Sequence, residues 1–219
     1  MDAYDVVIVG SGTSGQTAVF DLNEKGLRVA VVEKSERPGG TCALAGCQPK
    51  KWFYEATETI ARSRHLEGKG IVAGAEGNWA QVLEQKRRFT AGIPEGTIEN
   101  LQKAGIEFVA GTATFINDDT LSVDNRRIQA KYFVLATGAK PMELPIEGMD
   151  HVITSDGFLE LSELPPSLLF IGGGFISFEF AHFAARLGCT NQRSVILEVS
   201  KRPLGPFDAE MVELLTAAS

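Results

Sequence analysis

Apolar positions fall into two rhythms along this chain. In "DVVIVG" and "LRVAVVEK" they run almost without a break, as in parallel strands covered on both faces. Between them, "SGQTAVFDLNEKG" spaces its apolar residues as a helix does and closes on Gly26, suited to a helix C-cap. Strand, glycine turn, helix and strand make a βαβ unit, whose crossover is expected to be right-handed.

The run "GCQPKKWFYEATETIARSRH" predicts a helix starting at Pro49. "NWAQVLEQKRRFTAGIPEGTIENLQKAG" predicts helix with an interruption near Gly92 to Pro94. Short strands are expected in "IEFVAGTATFIN", "TLSVD" and "RRIQAKYFVLATG", separated by turn residues. "AKPMELPIEGMD", rich in Pro and Gly, marks a boundary between a first domain over 1–146 and a second over 147–219. In the second, "PPSLLFIGGGFISFEFAHFAARLG" and "SVILEV" repeat the opening pattern, and "FDAEMVELLTAAS" opens a further helix. The repeat is an echo of one unit, not a solenoid.

Composition narrows the class. With 44% hydrophobic and 22% charged residues, the chain can bury a real core. A net charge of −7 argues against a nucleic-acid surface. The N-terminus lacks the basic and apolar regions of a signal peptide. The most apolar stretch carries Glu179, His182 and Arg186, which makes it a poor membrane span. A cytoplasmic protein with no nucleic-acid or membrane partner is expected.

Gly10, Gly12 and Gly15 satisfy G-x-G-x-x-G between a strand and a helix. Such glycines permit a tight turn, close approach of backbone to a pyrophosphate, and close helix–strand packing. The helix N-terminus then offers free N–H groups to the phosphates. Glu33 closes the second strand where a ribose-binding acid is expected. The second motif, "IGGGFISFE", keeps Gly172 and Gly174 but has Ser177 in the third position, and Glu198 ends its second strand. An acid there favours NAD over NADP, while nearby Lys201 and Arg202 keep that choice open.

Cys42 and Cys47 stand five positions apart behind two glycines. Zinc would need more ligands at closer spacing than these two, the distant Cys189 and the scattered His65, His151 and His182 supply, so no metal site is expected. Two unrelated buried cysteines are an alternative. Three cysteines are too few for a secreted disulfide scaffold. Redox chemistry is favoured, because the pair sits at the start of a helix, whose dipole stabilises a thiolate, just after a dinucleotide motif.

"GGTCALAGCQPKK" resembles the GGTCxxxGCxPSK signature of the FAD-dependent pyridine nucleotide–disulfide oxidoreductases, which include lipoamide dehydrogenase, glutathione reductase and mercuric reductase. "VLATGAKP", "TSDGFLELSELPPSLLFIGGGFISFEFA" and "RPLGPFD" extend the likeness along the chain. The resemblance implies an α/β fold: a Rossmann-like FAD-binding domain, a parallel sheet of the ββα variety with a three-stranded β-meander, followed by the start of a Rossmann-like NAD(P)-binding domain. It makes Cys42 the interchange thiol and Cys47 the thiol against the flavin. It places Lys51 near the flavin N5, paired with Glu179, and leaves Lys50, in the signature's serine position, as a solvated residue.

FAD contacts are implied for Gly10, Gly12, Thr13, Ser14, Gly15, Glu33, Thr41, Cys42, Lys51, Ala113 and Gly138, with Thr137 near the flavin. Gly172, Gly174 and Glu198 would hold the nicotinamide cofactor. The implied cycle carries electrons from NAD(P)H through FAD to the Cys42–Cys47 disulfide, then to a small-molecule or protein disulfide, in the service of redox homeostasis. Full-length relatives are homodimers whose catalytic histidine lies in a C-terminal domain; His65, His151 and His182 do not match it. His182 is expected to be a packed or half-exposed helix residue, and His65 and His151 surface residues. The helix after the first glycines lacks the arginine of the glutathione branch, which weakens glutathione as substrate. The chain is thus read as an N-terminal half without the return segment of its first domain. The competing readings are an FAD-binding remnant without turnover and, less in keeping with the cysteine signature, a flavin monooxygenase or oxidase.

Overall fold

The computed structural model describes residues 2–188 and 193–218; Cys189 and residues 190–192 lie outside the described residues. The opening rhythm produces β1 (Asp2–Val9), α1 (Thr13–Glu24) and β2 (Val29–Glu33). Four helices follow: α2 (Gly40–Leu44), α3 (Cys47–His65), α4 (Trp79–Ala91) and α5 (Ile93–Lys103). Then come β3 (Glu107–Ala110), β4 (Ala113–Asn117), β5 (Thr120–Val123) and β6 (Arg126–Leu135). After α6 (Ser155–Phe158), the elements β7 (Ser167–Ile171), α7 (Phe175–Leu187) and β8 (Arg193–Leu197) restate the opening, and α8 (Ala209–Ala218) follows. Among the described residues no helix is long and apolar enough to cross a membrane.

The interruption near Gly92 falls where the sequence puts it, with Pro94 in the first turn of α5. Two other boundaries differ from expectation. Helix α3 begins at Cys47, two residues before Pro49. The first N–H groups of a helix have no partner within it, so proline fits at the third position as well as at the first. "IEFVAGTATFIN" breaks into β3 and β4 at Gly111, whose φ of +140° suits glycine.

The chain divides into two compact units, Met1–Pro49 with Lys86–Asp156, and Lys50–Gln85 with Gly157–Ser219. Unlike the linear division at 146/147, these units are discontinuous. Phe53, Ile60 and Trp79 from the earlier stretch share one core with Phe180 and Phe183.

In the first unit a six-stranded sheet runs β3-β2-β1-β6-β5-β4. Strands β3, β2, β1 and β6 are parallel, with Val7 opposite both Ala30 and Phe133. Strand β5 is antiparallel to β6 and β4, which makes the expected meander. Successive residues of a strand point to opposite faces, and both faces are covered here. Val6, Ile8, Val29 and Val31 pack with Val19, Leu101 and Ile106; Val7, Ala30 and Val32 pack with Leu121, Val123 and Ile128. That is why the apolar runs are unbroken. Each buried Val or Ile contributes roughly 1.5–3 kcal/mol.

In the second unit β7 and β8 pair in parallel, Leu169 opposite Val195 and Ile171 opposite Leu197. Leu168 and Phe170 turn inward to a core that joins α7 to α3. Phe158 stacks on Phe180 at 4.4 Å between centroids, and Trp79 meets Phe158 edge-on at 5.4 Å. The Trp79 indole donates to the Leu161 carbonyl at 2.7 Å, so its polar edge is satisfied inside the core.

Candidate functional site

The first glycine turn leaves β1 through Gly10, whose amide donates to the Val32 carbonyl at 2.8 Å. Gly10 has φ +112°, and a Cβ there would lie 2.3 Å from the Ala136 carbonyl oxygen. A Cβ on Gly15 would lie 2.0 Å from the Gly10 carbonyl oxygen, so α1 reaches the strand only without one. Gly12 caps α1 in extended conformation; no side chain bonds to this cap, and no acidic residue stands in the first turn. The cradle, the positive end of the helix dipole and the exposed Thr13 and Ser14 fit a dinucleotide phosphate.

Glu33 braces this turn. Its Oε2 accepts the Ser11 amide and the Ser11 hydroxyl, each at 2.8 Å, and its Oε1 accepts the Ser35 amide at 2.8 Å. Burial pushes the carboxyl up, but the bonds from the Ser35 and Ser11 amides and the Ser11 hydroxyl outweigh it and hold it below the usual glutamate range.

Ser11 also reaches the cysteine segment. Its Oγ accepts the Gly39 amide at 3.2 Å, and a Cβ on Gly40 would lie 2.4 Å from the Gly12 Cα. The first glycine turn is therefore in direct contact with the start of α2, which carries Cys42. Cys42 is half-buried, Thr41 is exposed, and the exposed Cys47 is the first residue of α3. Ser11 is fully buried, and sequence reasoning passed over it; its place inside G-x-G was the available signal. At the end of β6, the Ala136 amide bonds the Val9 carbonyl, and Thr137 and Gly138 lie exposed just beyond. Ala113 opens β4 opposite Val123 and packs against the meander core.

The second turn repeats the first within its own unit. Gly172, with φ +104°, donates to the Leu197 carbonyl at 2.8 Å. Glu198 accepts the Gly173 amide on Oε2 and the Ser200 amide on Oε1, each at 2.7 Å. Those bonds, Ser200 first, hold its carboxyl below the usual range. Gly174 caps α7 without a side-chain bond, as Gly12 caps α1. Ser177, in the third-glycine position, is half-buried.

The lysine assignment changes. Glu179 takes Lys50, not Lys51: Lys50 Nζ lies 2.7 Å from Glu179 Oε2 and 4.9 Å from the Phe175 ring centroid. Lys51 is exposed. Neighbours on a helix point about 100° apart, at 3.6 residues per turn. Lys50 shares the helical face of the buried Phe53, Thr57 and Ile60, and that face meets α7. Lys50 is therefore not a solvated position; its side chain is 17% exposed. Phe175, one turn before Glu179, is a contact the sequence did not suggest.

Further along this seam Arg186 Nη1 bonds Glu58 Oε1, and Arg62 lies 3.7 Å from the same carboxylate. His182, beside them, is exposed at the surface of α7; partial desolvation first, then the Arg186 charge, push it down, against an opposing effect of Glu58. His65 and His151 are exposed.

Comparison with known proteins matches residues 4–219 to the family described as pyridine nucleotide-disulphide oxidoreductase. The chain is 35% identical to a mercuric reductase of Staphylococcus aureus over 97% of its own length and 39% of that protein's. It is 32% identical to a dihydrolipoyl dehydrogenase of Trypanosoma brucei brucei over 98% and 46% of the two lengths. Among solved structures, the Cu(II) complex of the HOCl-induced flavoprotein disulfide reductase RclA from Escherichia coli superposes with a TM-score of 0.83 at 28% identity, over 100% of this chain and 47% of that one. The chain thus spans less than half the length of these relatives.

Proposed function

This chain belongs to the pyridine nucleotide–disulphide oxidoreductase family, and from that premise we propose that it is the dinucleotide- and thiol-bearing part of a flavoprotein disulfide oxidoreductase. The Gly10–Gly15 turn, Glu33 and the Cys42 segment would hold FAD, which would supply a hydride-accepting centre between NAD(P)H and the thiols. One observation carries this reading: buried Ser11 joins the phosphate turn, through Glu33 and Gly39, to the segment that bears Cys42.

The Cys42 thiolate attacks one sulfur of a substrate disulfide, and the other sulfur leaves as a thiol. Cys47 then attacks the Cys42 sulfur of this mixed disulfide, which releases the second substrate thiol and leaves Cys42 and Cys47 oxidised as a pair. Two electrons from NAD(P)H restore the dithiol. With FAD bound, Lys50, held by Glu179, would be the positive charge that offsets the charge the cofactor gains on reduction. NAD is favoured, since an acid ends the strand of the second turn. The substrate is a small-molecule or protein disulfide. A cytoplasmic setting, a part in redox homeostasis and homodimerisation of the whole protein belong to the same reading.

The test is a spectrum. The purified chain should be yellow or take up FAD, and dithiol or NADH should raise a long-wavelength charge-transfer band. Cys42→Ser should show that band without reductant. A colourless chain that FAD cannot reconstitute would overturn the reading, and a chain that holds FAD but responds to no reductant would be a remnant without turnover.

A further inference from the structure

The residues after Glu198 include two cations, Lys201 and Arg202, which sequence alone would offer to the extra phosphate of NADP. The structure separates them. Lys201 is exposed. Arg202 turns back on its own loop: Nη2 donates to the Gly205 carbonyl at 2.8 Å and to the Phe207 carbonyl at 3.0 Å. Its Nη1 is shut off from solvent without a partner among the described residues. Two of its donors are thus committed to the main chain of its own loop, and Nη1 is withdrawn from solvent.

The bracing has a target. Leu204, within the braced loop, is 7% exposed and has φ +53°, a left-handed conformation unfavourable for leucine. Its amide donates to the Gly173 carbonyl at 2.8 Å, while the Gly173 amide donates to Glu198 at 2.7 Å. One peptide group after another, the second glycine turn is pinned between Glu198 and the Arg202 loop. Strained backbone and a buried unmatched donor persist only where the surroundings impose them, and both occur in this short loop.

We propose that Arg202 is a positioning residue for the nicotinamide dinucleotide site and not a ligand for a 2′-phosphate. By holding the Gly205 and Phe207 carbonyls it keeps Leu204 on Gly173, and so keeps the turn in the shape that receives a pyrophosphate. This inference rests on the reading of the second turn as a nicotinamide-dinucleotide site. It deepens that reading: binding strength depends on Arg202, but choice of cofactor does not.

The experiment measures dissociation constants of NADH and NADPH by calorimetry on the FAD-loaded 219-residue chain and its Arg202→Met and Arg202→Lys variants. Loss of charge-assisted bonds to two carbonyls should weaken both cofactors in Arg202→Met by the same factor, about tenfold. Arg202→Lys, which keeps a cation but not the fork, should fall between. Flavin content and flavin reduction by dithiol, which bypass the second turn, should not change. Loss confined to NADPH would make Arg202 a phosphate ligand and overturn the proposal, as would unchanged binding of both. If Arg202→Met fails to fold by circular dichroism, Arg202→Lys is judged by the same equal-loss criterion. If the unaltered chain binds neither nucleotide, the reading of the second turn fails first and the proposal falls with it.

Discussion

Lys50 Nζ lies 2.7 Å from Glu179 Oε2, a contact between residues 129 positions apart that ties the start of α3 to the second turn of α7. The same ammonium lies over Phe175, so α7 holds it with a carboxylate and a ring one turn apart.

Replacing Lys50 by Met should therefore matter where replacing Lys51 by Met does not. In the FAD-loaded chain Lys50→Met should lower the flavin midpoint potential, while Lys51→Met leaves it unchanged. The stability cost of Lys50→Met, read from thermal melts, should be no more than about 1 kcal/mol, since Glu179 is partly exposed. A potential that responds to Lys51 alone would return the role to that residue.

Glu33 makes the first unit sensitive to acid. Its carboxyl is held below the usual range in the folded chain, so the folded state binds fewer protons than the unfolded one. The stabilisation is complete above the ordinary glutamate value of about 4.3 and is lost as pH falls through the lower folded value. Denaturation midpoints from pH 6 to pH 3 should fall less steeply for Glu33→Gln than for the unaltered chain. Parallel curves would contradict the bracing role.

His182 acts at higher pH. Partial desolvation and Arg186 depress it, so the unfolded chain takes up its proton first as pH falls. The contribution to stability is full above about pH 6.5 and declines towards the lower folded value. Between pH 8 and pH 5.5 the unaltered chain should lose more stability than His182→Gln. Equal losses would show that this histidine titrates as it does in the unfolded chain.

Two glycines separate close packing from backbone conformation. Gly40 and Gly26 have φ of +76° and +78°, yet a Cβ meets Gly12 at 2.4 Å in one and nothing within 4 Å in the other. Gly26→Ala should cost about 1 kcal/mol, the price of the left-handed conformation alone. Gly40→Ala should cost more than about 2 kcal/mol in urea titration and reduce FAD retention, because the cysteine segment must move from the first glycine turn. Similar costs for the two would remove the argument from close approach.

The glycine turns were legible in the sequence because their chemistry is steric: a position that would place a Cβ 2.0 or 2.3 Å from a carbonyl admits only glycine. The parallel strands were legible because both faces are covered and nearly every side chain must be apolar. The lysine was not. Lys50 and Lys51 are identical in type, and only the phase of α3, set by Phe53, Thr57 and Ile60 against α7, separates them. Ser11 was hidden for a similar reason: nothing in its identity marks it as fully buried while Ser14 lies exposed. The grouping of residues 50–85 with the second unit depends on long-range aromatic packing, which leaves no local signature.

Each unit ends its second strand on a glutamate that grips the glycine turn with one oxygen and the main chain two residues ahead with the other. Both grips are built on main-chain amides, and the first adds the Ser11 hydroxyl. Ser11 answers to Gly173, while the residues after the two glutamates keep a common S-x-R-P, Ser35 to Pro38 and Ser200 to Pro203. Because each turn hangs on its own carboxylate, loss of Glu33 or of Glu198 would loosen one turn and leave the hydrogen bonds of the other in place.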